Sequence, residues 1–268
     1  MLKGKTALVT GSVRGIGETT ARALAEQGCN IMLNGLGEAD EIETTRLRIE
    51  NDFGVTAKYH GADLAQRDQV EDLVKSTQDK FGALDILINN AVIRYYRNIV
   101  DFDPTEWDHA LAVNLTAPFD LVRLALPGMI RNEWGRIVSM SSVLGLSGRS
   151  GRVDYITTKT ALLGFTRAVA AETLPYANIT CNAICPGSVL TPFIRERIQA
   201  MADERGLTWD EMAVEYRRDL GIHTDFIEPQ RVSATIVYLC SDVAKDINGL
   251  GLPIDGGLSN TWSESPPR

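Results

Sequence analysis

Tyr155 and Lys159 stand four residues apart in the stretch GRVDYITTK, with Arg152 three residues before the tyrosine. In a helix running from Asp154 the phenol and the ammonium share one face, one turn apart. A phenol ordinarily loses its proton near pH ~10, and a neighbouring cation favours the phenolate. Such a pair can exchange a proton with an alcohol near neutral pH. Taken alone, the pair equally describes two surface side chains on a helix. A second candidate is the turn TGSVRGIG, where Gly11, Gly15 and Gly17 permit a tight turn and a close approach of backbone to a pyrophosphate. The helix that opens there would aim its N-terminus at the anion.

The surrounding elements must position these groups. Short apolar runs alternate with amphipathic stretches along the chain. Strands are predicted at 6–11, 30–35, 56–64, 84–91, 135–142, 179–187 and 251–257. Helices are predicted at 17–28, from the second strand to about residue 52, at 68–82, 105–130, 156–173 and 229–242. Strand–helix alternation of this kind predicts an α/β fold, a doubly wound parallel sheet with helices on both faces. It forms a single domain over 1–262, followed by a tail at 263–268 whose composition predicts disorder. The segment 193–228 breaks the rhythm. It is long, charged and helical in pattern, and it follows the C-terminal end of a strand, where open α/β sheets bind ligands. A substrate lid is expected there, against the alternative of an ordinary surface hairpin.

The 268 residues are 44% hydrophobic and carry a formal net charge of −8. There is no basic stripe, so nucleic acid is not an expected partner. Cys29, Cys181, Cys185 and Cys240 show no paired metal-ligand spacing and read as buried, reduced thiols. No metal is expected. The N-terminus enters a strand-like run directly, and no apolar run is long enough to cross a bilayer, so a cytoplasmic protein without a membrane partner is expected.

TGSVRGIG, NNA, VNL, SMSS, YITTK and CPGSVLTP occur together in the order and spacing of the short-chain dehydrogenase/reductase family. The resemblance runs from Leu2 to Gly257, and within the family the chain is most similar to bacterial 3-hydroxybutyrate dehydrogenases. It implies a hydride transfer between NAD, or NADP, and a small secondary alcohol or ketone. Tyr155 would be the general acid/base and Lys159 its partner, bonded to the nicotinamide ribose. Ser142 would orient the substrate carbonyl, and Asn114 would hold a water in a proton relay. The resemblance places Gly11, Ser12, Arg14, Gly15, Ile16, Gly17 and Gly35 at the cofactor, with Asp63 at the adenine amino group and Leu64 beside it. Asn89 and Ala91 would lie under the ribose, and Pro186, Gly187, Val189 and Thr191 around the carboxamide. Val92 stands where the family usually has a glycine, which would serve a positive φ or a close approach. A homotetramer is implied, paired through the helices of Asn114 and Tyr155–Lys159 and through the last strand.

NAD-specific members usually place an acid after the second strand, but here LNGLG offers neither acid nor arginine. Arg14 could pair with a 2′-phosphate or point to solvent. The likeness to the hydroxybutyrate enzymes favours NAD. Where those enzymes have glutamine, histidine and lysine for the substrate carboxylate, this chain has Arg94, Leu144 and Arg152, and Leu258 replaces a tryptophan. Arginine suits carboxylate, sulfonate or phosphate, and 2-hydroxypropyl sulfonate dehydrogenases of this family use an arginine three residues before the tyrosine. An anionic hydroxy acid or hydroxysulfonate is therefore the expected substrate, held by Arg94, Ser142, Leu144, Arg152 and Tyr155. Arg149, Arg195 and Arg197 read as surface residues. The alternatives are an NADPH-dependent ketoreductase or polyol dehydrogenase and, from another class, a dinucleotide-binding regulator without chemistry.

Overall fold

The computed structural model describes residues 2–222 and 225–260. Seven parallel strands form one sheet in the order β3-β2-β1-β4-β5-β6-β7. They are β1 (Thr6–Val9), β2 (Asn30–Asn34), β3 (Ala57–His60), β4 (Ile86–Asn89), β5 (Gly135–Met140), β6 (Ile179–Pro186) and β7 (Gly251–Ile254). Every residue of β1, β4, β5 and β6 is buried, as strands covered on both faces must be. Side chains alternate between two cores because successive residues of a strand point to opposite faces. In β1, Ala7 and Val9 enter one core while Leu8 enters the other. The first core is closed by α1 (Gly15–Glu26), α2 (Ala39–Phe53) and α9 (Pro229–Cys240), and the second by α3 (Arg67–Phe81), α5 (Ala117–Arg131) and α6 (Val153–Thr173). This is the doubly wound sheet expected from the alternation.

Three boundaries differ from the sequence reading. The first helix begins at Gly15 rather than residue 17. β3 ends at His60, where its partner β2 ends at Asn34. The Asn34 side chain then donates to the His60 and Ala62 carbonyls at 3.0 Å each, taking up acceptors that a longer ladder would use. The long helix expected at 105–130 is present, but α4 (Pro104–Leu111) passes into α5 through a π-helical turn, Ala112–Thr116, where the Ala117 N–H donates back to Ala112 O. Pro118 has no N–H to offer the carbonyl four residues earlier, that of Asn114. Helical turns of this kind recur at functional sites. The helical span Pro104–Arg131 reaches a mean hydropathy of 1.2 over an 18-residue window and is by length and composition able to cross a bilayer, which the sequence reading did not foresee. Half of that window is buried within the protein, where Val113, Leu121, Val122, Ala125 and Met129 join the second core. It is a core helix.

The segment 193–228 contains α7 (Pro192–Arg205) and α8 (Trp209–Asp219), folded against each other around Ile198, Ala202, Met212, Ala213 and Phe226. Gly206 ends α7 in the left-handed region, and Thr208 and Glu211 form a capping box that starts α8. A bridge between Val189 and Ile227 ties the base of the hairpin to the end of the sheet. His223 and Thr224 within this segment, and the tail at 263–268, lie outside the described residues. All four cysteines are buried and free.

Candidate active site

A cleft of about 1410 Å³ opens at the C-terminal ends of β1, β4, β5 and β6, on both sides of the point where the strand order reverses. Its floor begins at the turn after β1. Gly11 and Gly15 have φ of 61° and 66°, in the left-handed region that favours glycine. A Cβ on Gly17 would lie 2.1 Å from Gly11 O, so the turn and the first helical residues close on each other only without side chains. Asn90 locks the turn from β4, its Nδ2 donating to Thr10 O at 2.8 Å and to Gly11 O at 3.0 Å. The first turn of α1 has no side-chain cap at Arg14. Its backbone N–H groups therefore face the cleft with side-chain-free glycines beside them, which fits a dinucleotide pyrophosphate.

Arg14, Ile16 and Ala91 line this half, and Pro186, Gly187, Val189 and Thr191 line the opposite wall. Thr191 also caps α7, accepting from Ile194 N at 3.4 Å. Ser12, Gly35, Asp63, Leu64 and Asn89 are not part of the cleft lining. Ser12 is fully buried, and its Oγ donates to Asn34 O at 3.3 Å and accepts from Asn34 N at 3.0 Å. Asp63 accepts from Ala65 N at 2.9 Å, Leu64 is in the second core, and Asn89 donates to Ser139 Oγ at 3.2 Å. Gly35 accepts the Tyr59 hydroxyl at 2.7 Å. Val92 lines the cleft with negative φ, so the family's glycine is not required there for backbone conformation.

Ser142, Tyr155 and Lys159 meet in the middle of the cleft. Ser142 starts a short 3₁₀ turn after β5, and its Oγ accepts from Leu144 N at 3.1 Å, leaving the hydroxyl proton free to donate. Lys159 is buried, its ammonium donating to Met140 O at 2.5 Å and lying 5.6 Å from the Tyr155 ring centre. Burial foremost, then the positive charge of Arg94, pushes its pKa down to about 7, with Cys185 opposing. Asn114 sits behind this group rather than on the cleft surface. Its Oδ1 accepts from Ile93 N and its Nδ2 donates to Ile93 O, each at 2.9 Å. The side chain thus clamps the loop after β4 to the π-helical turn.

The lysine value gives a measurable consequence. An exposed lysine holds its proton to pH ~10.4. Between about 7 and that value the unfolded chain binds the proton and the folded chain does not, so stability rises with pH across this window. Below it both states are protonated and the burial penalty is fully present. Urea unfolding of the cofactor-free protein should show the stability of wild type relative to Lys159→Met increasing from pH 6 to pH 9. A difference independent of pH would mean that Lys159 titrates normally in the folded chain.

The half of the cleft beyond Tyr155 is more basic than the sequence suggests. Arg94, Leu144, Arg152 and Leu258 line it as expected, but so do Arg149 and Arg197, which read as surface residues. The surface reading fits Arg195, whose guanidinium lies 5.9 Å from the Trp209 ring outside this cleft. Arg152 is only 8% exposed. Its guanidinium carbon lies 4.2 Å from the centre of Tyr96 and 4.5 Å from that of Tyr155, and its Nε has no partner. Arg197 reaches the same Tyr96 ring at 4.8 Å, and Arg94 spans Tyr155 and Phe193 at 5.6 and 5.5 Å. Burial raises the Tyr96 phenol, but Arg152, Arg197 and Arg94 together outweigh it and hold the group below the ordinary tyrosine value. Tyr96 was missed in the sequence, although RYYR directly after a strand end carries the signal. So was Phe193, which shares a helix face with Arg197 at i, i+4. The loop bearing Arg94 and Tyr96 is fixed to α6 by Asp154, which accepts from Tyr95 N at 3.1 Å, and by a bridge between Arg97 and Arg152. Among the described residues no group of three or more His, Cys, Asp or Glu is placed to hold a metal ion.

An open parallel sheet, an uncapped glycine turn and a phenol–ammonium pair in one cleft define a dinucleotide-dependent oxidoreductase. Residues 5–202 match the short chain dehydrogenase family, and the chain belongs to that family of NAD(P)-dependent enzymes. It is 40% identical over 257 residues to the D-beta-hydroxybutyrate dehydrogenase of Cupriavidus necator, covering 96% of this chain and 98% of that one. The enzyme of the same name from Rhizobium meliloti is 37% identical over 253 residues, covering 94% and 98%. Among solved structures, L-sorbose reductase from Gluconobacter frateurii, complexed with NADPH and L-sorbose, superposes with a TM-score of 0.91 at 28% identity, covering 97% of this chain and 98% of that one.

Proposed function

We propose that this protein is an NAD-dependent dehydrogenase of a small secondary alcohol that carries an anionic group, a hydroxy acid or hydroxysulfonate. The observation that carries this reading is Arg152, a nearly buried guanidinium with an unpartnered Nε, stacked on the ring of the candidate base Tyr155. A buried charge without a carboxylate is costly unless a ligand supplies one. The likeness to D-beta-hydroxybutyrate dehydrogenases supports an anionic hydroxy substrate.

The nicotinamide, when bound, takes or gives the hydride at the reacting carbon. The chain's own groups manage the proton and the geometry. Tyr155 accepts the alcohol proton during oxidation and returns it during reduction. Ser142 donates its free hydroxyl proton to the substrate oxygen. Lys159 places a cation or its neutral amine beside the phenol, according to pH. The Asn114 side chain is spent on Ile93, so the group assigned to hold a relay water is its backbone carbonyl, which Pro118 leaves without an i+4 donor. The hairpin of α7 and α8 carries Phe193 and Arg197 to the cleft mouth and acts as the lid.

Two features bear on the choice of dinucleotide. No carboxylate stands at the end of β2 or in Gly35–Gly37 directly after it: Asn34 is turned inward and Leu36 is 68% exposed. Arg14 lines the cleft at the N-terminus of α1. Discrimination should therefore be modest, with NAD preferred in kcat/KM and Arg14→Ala weakening NADP use more than NAD use. The test of the whole reading is the rate of nicotinamide absorbance change with hydroxy acids, hydroxysulfonates and polyols, each with NAD and with NADP. Turnover confined to the anionic compounds is the expected result. Equal or better turnover of neutral polyols with NADP would replace this reading with a sugar or polyol dehydrogenase, for which the likeness to L-sorbose reductase speaks.

A further inference from the structure

The cleft holds more positive charge than one anionic group would need. Arg94, Arg149, Arg152 and Arg197 all line it, and among the described residues none of the four has a carboxylate within ion-pair distance. Arg97, on the same wall, does have one, Glu106 at 3.3 Å. The shortage is local. The chain has 35 acidic residues against 27 basic ones, and elsewhere Arg22, Arg46, Arg67, Arg123, Arg205 and Arg217 are paired with acids. The carboxylate that lines this cleft, Asp219, lies beside Arg218.

Two of the four unpaired guanidiniums are held by one ring. Arg152 and Arg197 stack on Tyr96 at 4.2 and 4.8 Å, so one small molecule can touch both. Contact with an aromatic ring stabilises each cation, and a side-chain hydrogen bond joins Arg152 to Tyr96, yet these contacts do not use every N–H donor. Arg152 demonstrates this with its buried, unpartnered Nε. Like charges gathered in a low-dielectric cleft repel one another, and a monoanion would neutralise only one of them.

Building on the anionic-substrate reading, we propose that the cleft recognises a dianion, with Arg152 and Arg197, both in contact with Tyr96, each holding one negative charge. The chemistry is two carboxylates on a short chain, or one phosphate. Arg152 takes the group nearer the reacting alcohol, because it also lies against Tyr155. Arg197 takes the remoter charge, because it comes from α7 on the hairpin. Binding the second charge would thereby draw the hairpin onto the substrate.

The test is calorimetric titration of the enzyme–NADH complex at pH 7.5 with acetate, malonate and inorganic phosphate, in wild type, Arg197→Ala and Arg197→Gln. Malonate should bind wild type at least about tenfold more tightly than acetate, the scale of one additional charge-assisted contact. Both variants should lose most of that ratio, weakening malonate far more than acetate. Tight phosphate binding alongside malonate would identify one compact dianion as the ligand, and tight malonate alone two separated carboxylates. The proposal is overturned if neither malonate nor phosphate binds wild type more tightly than acetate, or if the preference for the dianion survives both variants. Binding of neither anion, with neutral hydroxy compounds binding instead, would overturn the anionic-substrate reading as well, so the two failures are distinct.

Discussion

Tyr155→Phe should fold normally, bind NADH as wild type does, and turn over its substrate at least ~10²-fold more slowly, the usual contribution of a positioned acid or base. The substitution deletes one oxygen and keeps the ring. The ring is what packs: Arg152 lies 4.5 Å from its centre, and Arg94 and Lys159 each lie 5.6 Å away. Those contacts survive, so a loss of rate with intact cofactor binding isolates the proton transfer. Retained turnover would show that another group supplies the base. Tyr96 would then be the next residue to replace, since three arginines already hold its phenol below the ordinary value.

Arg152→Ala should lower kcat/KM for an anionic substrate by roughly 10- to 200-fold, corresponding to a charge-assisted, bidentate contact of ~1.5–3 kcal/mol. Arg152→Lys should recover only part of this, because an ammonium cannot reproduce the planar fork or its stacking between Tyr96 and Tyr155. The structure makes the control essential. Arg152 touches the ring of the candidate base, so its removal could disturb catalysis without any role in binding. A neutral alcohol of similar size separates the two effects. If the anion loses far more than the neutral analogue, Arg152 grips the anion. Equal losses on both would assign it to positioning Tyr155 and remove the main support for an anionic substrate.

Much of this protein was legible in one dimension. Near-continuous apolar runs alternating with amphipathic stretches allow only a sheet covered on both faces, because a half-exposed strand would have to alternate. The glycine turn and the Tyr155–Lys159 spacing are local, fixed by turn and helix geometry within a few residues. Pro118 marks a break in the helical ladder at Asn114 by its missing N–H. The hairpin of α7 and α8 announced itself by its charge and its place after β6.

The tertiary structure alone decided which arginines share a cleft. Arg94 and Tyr96 follow β4, Arg152 starts α6 and Arg197 lies on α7. Their separations in sequence carry no information about meeting, because the parallel crossovers that return each strand end to the same edge set those distances. Arg197 and Arg195, two residues apart on one helix, point to different surroundings, Tyr96 for the first and Trp209 for the second. The sequence by itself determined the fold class, the spacing of Tyr155 and Lys159 on one helix and the glycine turn after β1, each held together by short-range geometry. The positive charge of the cleft is a sum over side chains from separate elements, and only the packed sheet brings them within reach of one another.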